Sequence, residues 1–189
     1  MSSRLGSLVG RAGKTLKIAS LMRDARQFFF QDEYIRLKSA RVSQVMLSVL
    51  YKDLHSRRAP LPGFEDIEFR AFSQNGEDGI LLYIFALIGT TNKKCVEICG
   101  ADGLECNTAN LIINHGWRGL MFDGNKELIE KGQRFYARCP DICAWPPKLV
   151  LAWITTDNVN SLIEQHGFTG DLDLLSLDMD GVDYWVWQA

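Results

Sequence analysis

At 189 residues the chain has room for one domain and a short appendage. With 47% hydrophobic and 23% charged residues it has the composition of a folded globular protein, which excludes disorder over most of its length, and no apolar run reaches the roughly 18–20 residues of a membrane span. The net charge of -2 gives no nucleic-acid role, but it hides a split: residues 1–60 carry 12 Lys/Arg and 4 Asp/Glu, residues 61–189 carry 9 and 19.

The first 23 residues hold Arg4, Arg11, Lys14, Lys17 and Arg23 and no acid, the pattern of a solvated basic helix or of an organellar leader. Residues 14–55 are expected to be helical: Leu16, Ile18, Leu21 and Met22, then Val42, Val45, Met46, Val49 and Leu50, recur at 3–4 spacing, with Phe28–Phe30 as a dense apolar spot between them. Ala59-Pro60-Leu61-Pro62-Gly63 breaks the helix. The expected domains are therefore a basic helical arm with its linker, residues 1–63, and an α/β domain, residues 64–189.

After the linker, a helix is expected over Ile80–Ile88, capped by Ser73 or Asn75, with Glu77 and Asp78 in its first turn and Gly89 at its end. Strands are then expected at Lys94–Cys99, Gly119–Asp123, Leu149–Ile154 and Leu172–Asp178. Helices between them are expected at Glu105–His115, closed by Gly116, at Lys126–Tyr136, and from a cap at Asp157 to His166, closed by Gly167. Alternating strands and helices imply right-handed crossovers and a parallel sheet with helices on both faces, a Rossmann-like arrangement in strand order 3-2-1-4.

Five cysteines, Cys95, Cys99, Cys106, Cys139 and Cys143, are an odd number with no secretory leader read ahead of them, so reduced thiols and a cytoplasmic protein are expected. Cys139 and Cys143 have no second pair at zinc-finger spacing, so no metal is expected. Cys95 and Cys99 are expected to share one strand face as small core residues, and His115 to cap a helix C-terminus.

In a parallel α/β sheet, ligands bind beyond the carboxyl ends of the strands. The first strand ends in Glu97-Ile98-Cys99-Gly100-Ala101-Asp102-Gly103, a small-residue turn that lets the backbone approach a ligand. The second ends in Asp123-Gly124-Asn125, and Asp123 lies 20 positions after Gly103, the spacing of an acid that binds ribose hydroxyls. The third ends in Thr155-Thr156-Asp157-Asn158, polar groups able to meet an adenine edge, and the fourth in Asp178-Met179-Asp180-Gly181. The dinucleotide fingerprint G-x-G-x-x-G is absent, and Glu97 is ill suited to a pyrophosphate. A cationic, phosphate-free cofactor tolerates carboxylates, and S-adenosylmethionine answers that description.

FSQNGEDGILLYIF, VEICGADGLECNTANLIINHGWRGLMFDGN, ITTDNVNSLI and DLLSLDMDGVDYWVW together resemble the FkbM-type class I S-adenosylmethionine-dependent methyltransferases, in particular the branch found among glycan and surface-polysaccharide genes. The resemblance covers roughly residues 70–189. It implies that Glu97, Gly100 and Gly103 belong to the cofactor loop, that Asp123 contacts the ribose, and that Asp178 faces the methyl donor. Cys99 and Ala101 stand where that family's turn has glycines. The family has seven strands and four are found here, so a fragment, a truncated product or a chain completed by a partner is expected. The fourth strand would otherwise be an exposed apolar edge, to be covered in a homodimer or by a partner.

The expected reaction is methyl transfer to a small-molecule or carbohydrate acceptor, at oxygen, with Asp178 or Asp180 as base. Two alternatives stand beside it. Asp178-x-Asp180 also matches the opening motif of haloacid-dehalogenase-type phosphatases, although that motif normally begins a domain and only nine residues follow Asp180; a metal-binding D-x-D of a nucleotide-sugar transferase is a weaker variant. The other is a non-catalytic Rossmann-like binding module whose basic arm touches an acidic membrane surface or a partner.

Overall fold

The computed structural model of the chain describes residues 40–142 and 144–189. Residues 14–39 of the helix expected over 14–55, the Phe28–Phe30 cluster, the basic first 23 residues and Cys143 lie outside the described residues.

The first described helix, α1, covers residues 40–56. Two further helices follow, α2 (Phe64–Ile67) and α3 (Glu77–Ile88). Tyr51 of α1 meets Tyr83 of α3 edge-on, with ring centroids 4.9 Å apart, and these two form a small core with Ile67 and Ala86. The Tyr83 hydroxyl donates to the Pro62 carbonyl at 3.1 Å, tying the linker to α3. The start of α3 is set by side chains reaching back: Asp78 Oδ2 accepts the N–H groups of Ala71, Phe72 and Ser73, and Ser73 Oγ accepts the Asp78 N–H at 3.1 Å. Ser73 thus caps α3 as expected, from three residues ahead of the N-cap position, Gly76.

The remaining elements alternate: β1 (Lys94–Ile98), α4 (Ala109–His115), β2 (Arg118–Asp123), α5 (Lys126–Tyr136), β3 (Lys148–Leu151), α6 (Val159–Gln165), β4 (Leu174–Leu177) and α7 (Asp183–Gln188). All pairings are parallel and the sheet order is β3-β2-β1-β4, as the alternation implies. The register puts Val96, Leu120 and Leu175 in one row and Ile98, Phe122, Leu177 and Val150 in the next on the same face. That face closes over Ile154, Val159, Ile163, Phe168 and Val186, from the α6 and α7 side. The opposite face packs on α4 and α5. At Gly119 a Cβ would lie 2.3 Å from Ile112 Cδ1, so any larger residue would displace the Ile112 side chain by which α4 packs on β2. Burial on both faces explains why β1 and β2 read as almost unbroken apolar runs.

Several boundaries differ from expectation, each for a non-local reason. Helix α4 begins at Ala109 rather than Glu105, because the Glu97 carboxylate takes the N–H groups of Asn107 and Thr108 and holds residues 99–108 as irregular turns. Strand β3 ends at Leu151 rather than Ile154: the Asn158 side chain accepts the Thr155 N–H and donates to the Trp153 carbonyl, bending the chain out of the sheet. Asn158, not Asp157, is the N-cap residue of α6. Strand β4 is confined to residues 174–177, since Asp173 turns its carboxylate back onto the N–H groups of Thr91, Asn92 and Lys93. Cys99 lies past β1, exposed, and shares no strand face with Cys95. His115 does end α4, and its Nε2 lies 2.7 Å from Gln44 Oε1 of α1.

Candidate functional site

Four parallel strands deliver four loops to one end of the sheet. In the loop after β1, much of the expected ligand-facing set points inward. Glu97 is 2% exposed, and its carboxylate accepts from the N–H groups of Asn107 and Thr108, the Thr108 hydroxyl and the Ser176 hydroxyl. It ties β1 to the start of α4 and to β4. Asp102 is buried against Lys131, at 2.6 Å, and accepts the Leu104 N–H. Desolvation opposes ionisation of Asp102, but the hydrogen bond and charge of Lys131 together with the N–H groups of Leu104 and Glu105 outweigh it, and the carboxyl sits below its usual range. Gly103 has φ +70, its carbonyl accepts the Tyr136 hydroxyl, and a Cβ there would lie 2.6 Å from Met121 Sδ. Gly103 is a packing residue beneath the site, and Gly100 is buried beside it.

Cys99 and Ala101 are the residues of this turn that face open space. Both are left-handed, with φ 63 and 49, which is the physical reason glycine is usual at such positions.

Asp123 at the end of β2 accepts the Ala101 N–H on Oδ2, at 2.9 Å, and the Asn125 N–H on Oδ1, at 2.7 Å. Each oxygen keeps a further lone pair. Asn125 is the N-cap of α5, its side-chain oxygen accepting from Glu127 and Leu128, so helix capping falls to Asn125 and not to Asp123. The Trp153 ring lies across Gly124. Asp157 is exposed and lines neither of the two cavities described below, and the Asn158 side chain is occupied within its own loop. Beyond β4, Asp183 accepts the N–H groups of Met179 and Gly181 and closes the turn that carries Asp180, itself left-handed at φ 52. These bonds hold the Asp183 carboxyl below its usual range.

Two cavities open between the loops. One of about 420 Å³ is lined chiefly by apolar side chains, Phe122, Trp153, Ile154, Met179 and Trp185 among them, and Asp123 is the one charged residue of its lining. Its volume falls in the range of small-molecule sites. The other, about 140 Å³, is polar, and Glu77, Glu97, Glu105, Asn107 and Asp178 contribute to its wall. Cys99 borders both. Its thiol is pushed up first by burial and then by the surrounding carboxylates of Asp123, Asp178, Asp183 and Asp180. Neither cavity is lined by lysine or arginine. The pair therefore suits a ligand with a flat apolar part, hydroxyls and a cationic part, and is unfavourable to phosphates.

Sequence reasoning did not identify Trp153, Met179 or Trp185 as lining residues, nor Gln74, Asn75 and Glu77 before α3. The only signal for Gln74, Asn75, Glu77, Met179 and Trp185 was membership of the motif-bearing segments at 72–85 and 173–187, and Trp153 stood only at the end of the expected third strand. Among the described residues, no group of three or more His, Cys, Asp and Glu is placed to hold a metal ion. Comparison of the chain with protein-family models, with curated proteins and with solved structures finds no match.

Proposed function

We propose that the chain binds S-adenosylmethionine at the carboxyl end of the sheet and directs its methyl group to a hydroxyl of a small-molecule or carbohydrate acceptor. The observation that carries this reading is the pair of adjoining cavities, one apolar and one carboxylate-lined, with no basic side chain in either. A pyrophosphate cofactor or a phosphate-ester substrate would meet only negative charge there, which disfavours both a dinucleotide and the phosphatase reading.

In this assignment the apolar cavity takes the adenine, with Trp153 beside Gly124 as one wall. Asp123 accepts the ribose hydroxyls on the lone pairs that Ala101 and Asn125 leave available. The carboxylates around Cys99 balance the positive charge of the cofactor. Glu97 acts by holding the loop rather than by touching the ligand. When bound, S-adenosylmethionine supplies an electrophilic methyl on a sulfonium. Asp178, exposed at the polar cavity, receives the proton of the acceptor hydroxyl at a carboxylate oxygen, with Asp180 two residues on. Positioning and exclusion of water contribute most of the acceleration in such a displacement.

Calorimetric titration with S-adenosylhomocysteine, NAD and inorganic phosphate tests the reading. Binding of S-adenosylhomocysteine alone is expected. Binding of NAD or phosphate with none of S-adenosylhomocysteine would overturn it.

A further inference from the structure

We propose that the outward face of α1 is a docking surface for an anionic lipid bilayer, independently of what the strand-end cavities bind. Gln44 and Tyr51 turn inward, at 2% and 6% exposure. Opposite them Val42, Val45, Met46, Val49 and Leu50 stand 69%, 46%, 68%, 61% and 47% exposed. At roughly 100° per residue these five share an arc of about 140° centred away from the protein. Five large apolar side chains bared side by side on one helix form a patch, unlike the scattered exposed residues of an ordinary surface.

The charges nearby select the occupant. Arg41 and Lys52, both exposed, fall along one border of the apolar arc; Arg57, in the turn just past α1, is paired with Asp53. Residues 1–60 as a whole carry 12 Lys/Arg against 4 Asp/Glu. An apolar strip bordered by cations is the pattern that inserts shallowly among lipid headgroups and is held there by anionic lipids. Among the described residues no helix is long and apolar enough to cross a membrane, so the contact proposed is with the surface. A second copy of the chain fits less well: five side chains fall far short of the roughly 20–30 residues a side of a stable interface, and two basic borders would face each other.

Co-sedimentation of the full-length protein with vesicles tests this. Partition onto phosphatidylcholine vesicles containing phosphatidylglycerol is expected to exceed that onto phosphatidylcholine alone by at least about tenfold, and to fall in high salt. The triple variant Val42→Ser/Met46→Ser/Val49→Ser changes only exposed positions and should keep the wild-type circular dichroism while losing at least about tenfold in partition. Arg41→Glu/Lys52→Glu should also weaken partition and flatten its salt dependence. Failure of folded wild type to bind anionic vesicles overturns the proposal. So does undiminished binding by the triple variant, because the cations of residues 1–39 would then suffice without α1. A dimer seen by sedimentation velocity and lost in the triple variant, with no vesicle binding, would instead assign the face to a second copy.

Discussion

Cys99 and Ala101 hold left-handed backbone at φ 63 and 49, where an L side chain costs about 1–2 kcal/mol relative to glycine. Cys99 adds a steric role, since its side chain stands where the two cavities adjoin. On the proposed reading a ligand spanning both cavities must pass it, whereas adenosine occupies only the larger. Cys99→Gly is therefore expected to raise S-adenosylhomocysteine affinity several-fold and to leave adenosine affinity within about twofold. Equal changes for both ligands would show that the ligand does not reach past Cys99. Asp123 offers a second test. Asp123→Ala also frees the Ala101 and Asn125 N–H groups, so it should lower stability by about 1–3 kcal/mol along with affinity. Asp123→Asn keeps one accepting oxygen and should lose about tenfold in S-adenosylhomocysteine affinity, roughly 1.4 kcal/mol, with a smaller change in melting temperature. Wild-type affinity in Asp123→Asn would remove the ribose role.

Elements are joined here by buried or clustered carboxylates rather than by capping residues of their own. Helix α4 has no side-chain cap at Thr108; Glu97, from the neighbouring strand, takes its place. Glu97→Gln replaces one accepting oxygen by a donor amide beside N–H groups that need an acceptor. It should cost about 1–3 kcal/mol in urea unfolding while leaving the sheet intact. Asp173 joins the loop before β1 to the start of β4. Desolvation raises its pKa, but the hydrogen bonds from Thr91, Asn92 and Lys93 together outweigh this and hold it at about 2. A folded-state pKa below the unfolded value contributes stability that is present above about pH 4 and lost as pH falls toward 2. Asp173→Asn should thus be less stable than wild type at pH 7, with the gap closing through that window. A gap that persists at pH 2 would show that the side chain acts through geometry alone.

At the scale of the whole molecule, two features divide the chain. Parallel βα units bring four strand ends together, and the irregular turns after them carry both cavities. Charge divides differently, with 12 Lys/Arg against 4 Asp/Glu in residues 1–60 and 9 against 19 in the remainder. Acid-rich loops favour a cationic ligand at the strand ends, while the basic stretch favours an anionic surface. The two proposals make separable predictions: the α1 variants should leave S-adenosylhomocysteine titration unchanged, and Asp123→Asn should leave vesicle partition unchanged. Cross-effects in both directions would mean that one site, not two, underlies the binding.

By itself the sequence determined the parallel sheet and its order, because periodicity, helix-ending glycines and short connections are local signals that leave few right-handed arrangements. It also located the end of the sheet where a site belongs. Only the tertiary structure decided which residues at that end meet a ligand. Glu97, Asp102 and Gly103 turn inward, and Asn125 and Asn158 serve their own loops, because hydrogen-bond partners 2 to 79 positions away claim their polar groups. Trp153 and Met179 reach the larger cavity from loops held by the Asn158 and Asp183 side chains, and Trp185 reaches it from α7. The apolar stripe of α1 was visible as periodicity, but periodicity marks a face without saying whether anything covers it. Packing α1 on α3 through Tyr51 is what left Val42, Met46 and Val49 outside.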